Sequence, residues 1–142
     1  MTTQQNVLTY AQAIQNQLVA VVSPVPVYAN FNRNFAEQSQ FCVWQLRNVH
    51  QPVYTGQDQT NKGIDTPVFQ VNVFASDMNN CFNMTNQILQ ALHGYSGQFG
   101  VKTGFAGIYV AKIDVTMLYN TYDDSVKLNQ IVLDCRMDIP CW

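Results

Sequence analysis

The chain has 142 residues, of which 47% are hydrophobic and only 11% are charged, and its formal net charge is −2. This length predicts a single domain over residues 1–142 that buries about two thirds of its unfolded surface, and the hydrophobic content excludes a disordered chain. The seven basic residues are scattered and outnumbered by nine acidic ones, which excludes nucleic acid as the main partner because no basic stripe can follow a phosphate backbone.

Neutral amides take the place of the missing charges, with 14 asparagines and 16 glutamines. Two interpretations stay open: a surface in contact with solvent, or a surface that lies against other subunits, where an amide costs less to desolvate than an ion. The longest apolar run near the start, residues 18–22, is too short to span a bilayer, so no membrane role is predicted.

The first predicted element is an amphipathic helix that begins at Thr2 or Thr3 and ends before Pro24. Its inner stripe at helical spacing consists of Val7, Ala11, Ile14, Leu18 and Val21. Residues 27–39 are irregular and fit a short edge strand or an ordered loop. Residues 41–49 then alternate with apolar side chains on both faces, which indicates a strand that is central or covered on its second side.

Residues 50–65 form the longest stretch whose hydrophobic residues follow neither helical nor strand spacing. A loop of about sixteen residues is unusual in a compact domain, and such loops are commonly functional. This loop is the first candidate for a segment that orders against a partner.

The clearest local signal lies in residues 66–94, where a strand leads directly into a helix. Phe69, Val71 and Val73 alternate with polar residues over positions 67–75, which is the period of a half-buried strand. Ser76 or Asp77 can cap the helix, and Gly94 can end it. We expect this helix to pack on the sheet that contains its own strand.

Residues 94–107 are rich in glycine but lack the spacing of a phosphate loop, so a connector with several turns is favoured. Two long alternating segments follow, with Ile113, Val115, Met117 and Tyr119 on the apolar side of the first, and they predict a hairpin around a turn at residues 120–125. The predicted fold class is therefore α+β, a mainly antiparallel sheet of about four to five strands with two helices packed on one face. Residues 137–142 are predicted to form a C-terminal tail, in which Trp142 either covers the domain's own core or anchors in a neighbouring subunit.

No residue pattern predicts a reaction centre, a metal site or a cofactor. Cys42, Cys81, Cys135 and Cys141 have no metal-binding spacing, and buried free thiols are expected. His50 falls in the long loop, and His93 closes a helix, where a structural role is favoured. The motifs GxSxG and HExxH are absent. We therefore expect that the protein is not an enzyme.

The order of elements resembles that of the tail-completion or tail-terminator proteins of long-tailed bacteriophages. The resemblance rests on the "PVFQVNVFA" strand, the "ILQALHG" helix end and the closing "YNTYDDSVKLNQIVLDCRM" hairpin, and it covers residues 7–137. It implies a structural virion protein whose six copies form a ring that caps the tail tube and joins it to the neck or connector. A head-completion (stopper or adaptor) protein is the alternative, and a small ligand-binding or hydrolytic domain that uses residues 94–107 is the third.

The resemblance also implies partners and a location. The expected partners are further copies in a homo-hexamer, the tail tube protein, the neck and connector proteins and, where one is present, the tail sheath. DNA would only pass through the ring, and no small-molecule substrate is expected. The protein would be assembled in the host cytoplasm and reside in the virion, in the tail or neck.

A ring subunit needs segments that reach the next copy. The long loop, the segment 30–39 and the C-terminal tail are the available parts, and they give the candidate interface residues Tyr54, Gln57, Gln59, Asn61, Lys62, Asn32, Arg33 and Trp142. Acidic loop residues would keep DNA from adhering to the channel. The candidate lumen residues are Asp58, Asp65, Asp123 and Asp124.

Overall fold

The described part of the chain forms a helix, three strands, a second helix and four further strands, an order that fits the α+β class. The computed structural model describes residues 6–33, 37–50 and 64–140. Within these ranges the elements are α1 (Val7–Val22), β1 (Val27–Ala29), β2 (Gln40–His50), β3 (Ile64–Ala75), α2 (Met78–Leu92), β4 (Gly97–Phe99), β5 (Ile108–Val110), β6 (Lys112–Asp123) and β7 (Leu128–Pro140).

Five strands form one sheet in the order β1-β2-β3-β7-β6, and β4 and β5 form a separate small sheet. The pairs β2-β3, β3-β7 and β6-β7 are antiparallel, which confirms the predicted architecture. β1 is parallel to β2, so the sheet is mixed. β2 is an inner strand, as its two apolar faces predicted.

The predicted strand and helix of residues 66–94 are both present. Phe69, Val71 and Val73 are fully buried. Asp77 is the helix cap, because its carboxylate accepts a hydrogen bond from the Asn79 N–H at 3.0 Å. The sequence left the choice between Ser76 and Asp77 open, and the structure shows Asp77. Its carboxylate accepts from an N–H group for which the helix itself has no acceptor.

The start of α1 differs from the prediction. The cap is Asn6, whose side chain accepts a hydrogen bond from the Thr9 N–H at 3.0 Å, while the Thr9 hydroxyl accepts one from the Asn6 N–H at 3.1 Å. This reciprocal pair satisfies two N–H groups at once. The proposed starts at Thr2 and Thr3 were therefore wrong, and both residues lie outside the described ranges.

The buried face of α1 also differs from the predicted stripe. Ile14 and Leu18 are buried as expected, but Val7 is 49% exposed and Tyr10 is fully buried in its place. The full set of buried residues is Tyr10, Ala13, Ile14, Leu18 and Val22. On this buried face the Tyr10 hydroxyl donates a hydrogen bond to the buried carboxylate of Asp65.

Both helices pack on one face of the sheet and form the main core with it. Cys42, Cys81 and Cys135 are buried free thiols, which confirms their predicted state, and Cys141 lies outside the described residues. Burial raises the pKa of Cys42 and of Cys135 to about 12 and that of Cys81 to about 11. These thiols are therefore inert at neutral pH.

The opposite face of the sheet carries no helix among the described residues. At one end it holds a small apolar cluster of Phe41, Val43 and Leu128. Beside this cluster, Asn72 is buried and its side-chain oxygen accepts hydrogen bonds from Gln70 and Gln130, each at 3.2 Å. Some of the many amide side chains therefore form hydrogen bonds with one another within the chain.

The C-terminal tail was predicted to begin too early. β7 continues to Pro140, and Met137 and Ile139 are fully buried in the core. The reason is that β7 lies between β3 and β6, so its inward side chains are covered along its whole length. Trp142 lies outside the described residues, and its two interpretations stay open.

Candidate subunit interface

The predicted interface residues fall in three regions, of which the structure describes one. Asn32 is buried, and its amide nitrogen donates to the Gln38 side-chain oxygen at 2.6 Å. Asn32 therefore stabilises its own loop and does not present a contact surface. Arg33 is exposed beside it. The other candidates lie outside the described residues: Tyr54, Gln57, Gln59, Asn61, Lys62 and Trp142.

Two of the four predicted lumen acids are placed at the hairpin end. Asp123 is the last residue of β6, and its carboxylate accepts hydrogen bonds from the Ser125 N–H at 2.9 Å and the Ser125 hydroxyl at 2.6 Å. The hydrogen bond from the Ser125 hydroxyl lowers the pKa of Asp123 below its ordinary value. Asp124 is exposed in the turn that follows. Asp123 is thus held in its ionised form, whereas Asp124 has no local structural role among the hydrogen bonds described.

Asp65 corrects the prediction. It is not a loop residue but belongs to β3, and it is only 2% exposed. The Tyr10 hydroxyl donates a hydrogen bond to its carboxylate. A carboxylate held inside the core cannot line a channel, so Asp65 is removed from the lumen set. Asp58 lies outside the described residues.

An open groove of about 440 Å³ lies on the described part of the chain. Its lining consists of Val68, His93, Asp114, Thr116, Leu118, Asp134 and Arg136. The two carboxylates are paired, Asp134 with Arg47 at 2.8 Å and Asp114 with Lys112 at 3.2 Å. Within the described ranges, no group of three or more potential metal ligands comes together.

His93 has a structural role in this groove. It is the residue that caps α2 at its C-terminal end, and its Nδ1 atom accepts a hydrogen bond from the Val115 N–H at 3.0 Å. That nitrogen is consequently occupied by the backbone of β6. His50 was predicted to lie in the long loop, but it is the last residue of β2.

The glycine-rich segment 94–107 attaches α1 to the small β4-β5 sheet. The Gly100 N–H donates to the Gln17 side chain at 3.0 Å, and the Gly100 carbonyl accepts from the Asn16 side chain at 3.1 Å. A Cβ at Gly100 would lie 2.5 Å from the Ala13 Cα. The glycine therefore permits a helix to approach, and its N–H is not available to a phosphate group.

Sequence reasoning missed the exposed half of β6. Met117 and Tyr119 were predicted on the buried face of the hairpin, but they are 40% and 54% exposed. The register of β6 against β7 shifts between these two residues, which leaves Leu118 as an extra residue on β6. Such a bulge turns the following side chains away from the core. The alternation alone carries no signal for it.

The fold is shared with solved structures of other proteins. A chain in the virion of a native gene transfer agent particle matches with 15% identity and a TM-score of 0.52, over 93% of this chain and 91% of that chain. The sheath/tube terminator of an extracellular contractile injection system, PVC, in its extended state matches with 10% identity and a TM-score of 0.53. That match covers 98% of this chain and 58% of the terminator, so the chain spans little more than half of that protein's length.

A third structure, whose name gives no function, matches with 15% identity and a TM-score of 0.62, over 97% of this chain and 98% of that chain. At these identities the matches show a common fold. No protein-family model and no curated protein sequence matches the chain. Among the described helices, none is long and apolar enough to cross a membrane.

Proposed function

We propose that the chain is a tail terminator subunit that forms a hexameric ring, caps the tail tube of a phage-like particle and joins it to the neck or connector. The observation that carries this proposal is the shared fold with the sheath/tube terminator of a contractile injection system, at a TM-score of 0.53 over 98% of this chain. The match to a gene transfer agent virion chain supports the same class of structural virion protein.

The described surface agrees with a structural role. Both carboxylates of the open groove are engaged in ion pairs and the His93 ring accepts a backbone hydrogen bond, and the buried thiols are protonated. Low net charge allows like subunits to approach one another with little repulsion. Partners would be the tail tube protein, the neck and connector proteins and a sheath where one exists.

If DNA passes through the ring, acidic side chains on the channel surface would repel it. Asp124 is exposed in the β6-β7 turn, and Asp123 beside it is held ionised by Ser125. If this turn faces the channel, its carboxylates repel the phosphate backbone and keep the DNA from adhering. Asp58 remains a further candidate for the channel surface.

The test is addition of the purified protein to tail tubes that lack a terminator, followed by electron microscopy. We expect a ring of six copies at one end of each tube and a fixed tube length after addition. Tubes that remain bare at both ends, with the protein folded and in excess, would contradict the proposal. Mixing with tubes that already carry a terminator is the control, because their ends are occupied.

A head-completion protein is the second candidate, because the matching virion chain has a name that assigns it no place along the particle. The same electron microscopy separates the two functions. A terminator binds the free end of a tail tube, whereas a head-completion protein binds DNA-filled heads that lack tails. Binding to heads and not to tubes would favour the second candidate.

A further inference from the structure

The end of α2 covers the first part of β6, which is an outer strand of the five-stranded sheet. The Gly94 N–H donates to the Ile113 carbonyl at 2.8 Å, and the Val115 N–H donates to His93 Nδ1 at 3.0 Å. These two hydrogen bonds occupy outer hydrogen-bonding groups at the start of the strand. Covering an edge in this way is a common protection against pairing with other chains.

The two hydrogen bonds differ in their response to protons. The bond from Gly94 joins two backbone groups, which do not titrate. The bond from Val115 needs the lone pair of His93 Nδ1, and a neutral imidazole offers that lone pair only when its proton is on Nε2. An imidazolium ring has a proton on both nitrogens and accepts a hydrogen bond at neither. The contact between His93 and β6 therefore exists in only one charge state of the ring.

The His93 ring can exchange protons with the solvent, because His93 is exposed at the end of α2. It lines the open groove together with three charged side chains, Asp114, Asp134 and Arg136. The two carboxylates are paired with Lys112 and Arg47. Histidine is the residue type whose charge ordinarily changes between about pH 5 and pH 8. A moderate change of pH is therefore enough to alter the contact.

The surroundings of His93 act in both directions. The groove carboxylates and the carbonyl groups at the end of α2 interact favourably with a positive ring, and α2 has no charged side chain of its own. Arg136 and the Val115 N–H favour the neutral ring instead. Tyr95, the next titratable residue along the chain, directs its hydroxyl to the Gln98 carbonyl. The structure thus gives each charge state of the ring its own favourable partners.

We propose that His93 is a pH-sensitive switch: a neutral ring attaches the end of α2 to the edge of β6, and proton uptake releases the Val115 N–H. The stabilising contact is present at the higher pH and is lost as the pH falls through the range in which histidine gains its charge, between about pH 8 and pH 5. The Gly94 bond remains, so the release loosens the cover of the edge without unfolding α2. This inference is independent of the proposed function.

The test is nuclear magnetic resonance of the full chain labelled with ¹⁵N. At about pH 8 the ring couplings of His93 should show an unprotonated Nδ1 and a proton on Nε2. By about pH 5 the ring should have gained its second proton. The protection factor of the Val115 amide against hydrogen exchange should then be about fivefold lower, which corresponds to the loss of one ordinary hydrogen bond. The protection factor removes the effect of pH on the intrinsic exchange rate.

Two variants separate the ring from other effects of acid. His93→Ala has no acceptor, so the protection of Val115 should be low at both pH values. His93→Gln offers an amide oxygen that accepts a hydrogen bond and does not titrate, so the protection should be the same at both. His50→Gln is the matched control, because His50 is the other histidine and lies at the end of β2. It should respond like wild type, and circular dichroism should show all variants folded.

Several results would overturn the switch. A ring protonated on Nδ1 at about pH 8, or one that remains neutral at about pH 5, contradicts the charge states that it requires. An unchanged protection factor of Val115 after His93 has gained its proton contradicts the release. The amide of Val71, in the middle of the sheet, reports a general loss of stability in acid. An equal fall at Val71, or a fall at Val115 that persists in His93→Ala, would assign the effect to that general loss.

Discussion

Single side chains decide how α1 sits on the sheet. Tyr10 is fully buried and its hydroxyl donates to Asp65, which is 2% exposed. The position of a buried carboxylate is fixed by the donors around it, because leaving it without them costs free energy. The pair therefore helps to hold Tyr10 on the buried face of α1.

Replacing Tyr10 by Phe should lower the free energy of unfolding by about 1–3 kcal/mol, because a buried carboxylate loses one of its donors. Urea unfolding followed by circular dichroism measures the loss. Tyr109→Phe is the control, because Tyr109 is 45% exposed in β5. Equal stability of the two variants would show that the Tyr10 hydroxyl contributes nothing.

The buried thiols predict a dependence of stability on pH. Burial raises the pKa of Cys42 to about 12, whereas an unfolded thiol titrates near about 8.5. Above that pH the unfolded chain releases a proton that the folded chain keeps, and this stabilises the unfolded state relative to the folded one. Stability is therefore fully present below about pH 8.5 and falls as the pH rises toward 12.

Each such thiol makes the unfolding free energy fall more steeply as the pH rises. The contribution of one thiol is at most about 1.4 kcal/mol per pH unit. Urea unfolding between about pH 8 and pH 10.5 tests this within the range of that shift. Cys42→Ala should be less stable at pH 8 yet show a shallower decline, since one titrating group is gone. An unchanged slope would contradict the assignment.

At the scale of elements, the contact between α1 and the glycine-rich connector depends on the absence of one Cβ. Gly100 has a φ of 78°, and a Cβ there would lie 2.5 Å from the Ala13 Cα and 2.6 Å from the Ala13 carbonyl oxygen. Gln15 on the same helix accepts a hydrogen bond from the Trp44 indole N–H at 2.6 Å, which attaches the helix to β2. The helix is thus fixed from two sides.

Gly100→Ala should destabilise the protein more than Gly104→Ala, by about 1–3 kcal/mol, because overpacking adds to the backbone strain. Gly104 is the matched control, since its φ is 84° but no atom lies within 4 Å of the added Cβ. Thermal unfolding of the two variants gives the difference. Equal melting temperatures would mean that the connector moves away from α1 at little cost.

At the scale of the whole molecule, one main core joins both helices to the five-stranded sheet. A single cooperative unfolding transition is therefore expected. Far-ultraviolet circular dichroism and tryptophan fluorescence should give the same midpoint in urea. Two separated midpoints would contradict the prediction of a single domain over residues 1–142.

The sequence by itself determined the fold class, the strand and helix of residues 66–94 and the closing hairpin, because periodicity and capping are local properties of the chain. Only the tertiary structure decided which side chains are covered. It placed Asp65 in the core, turned Tyr10 of α1 inward, and exposed Met117 and Tyr119 on either side of a bulge. Burial depends on which elements pack together and on where a sheet ends, and neither is encoded in the spacing of residues within one element.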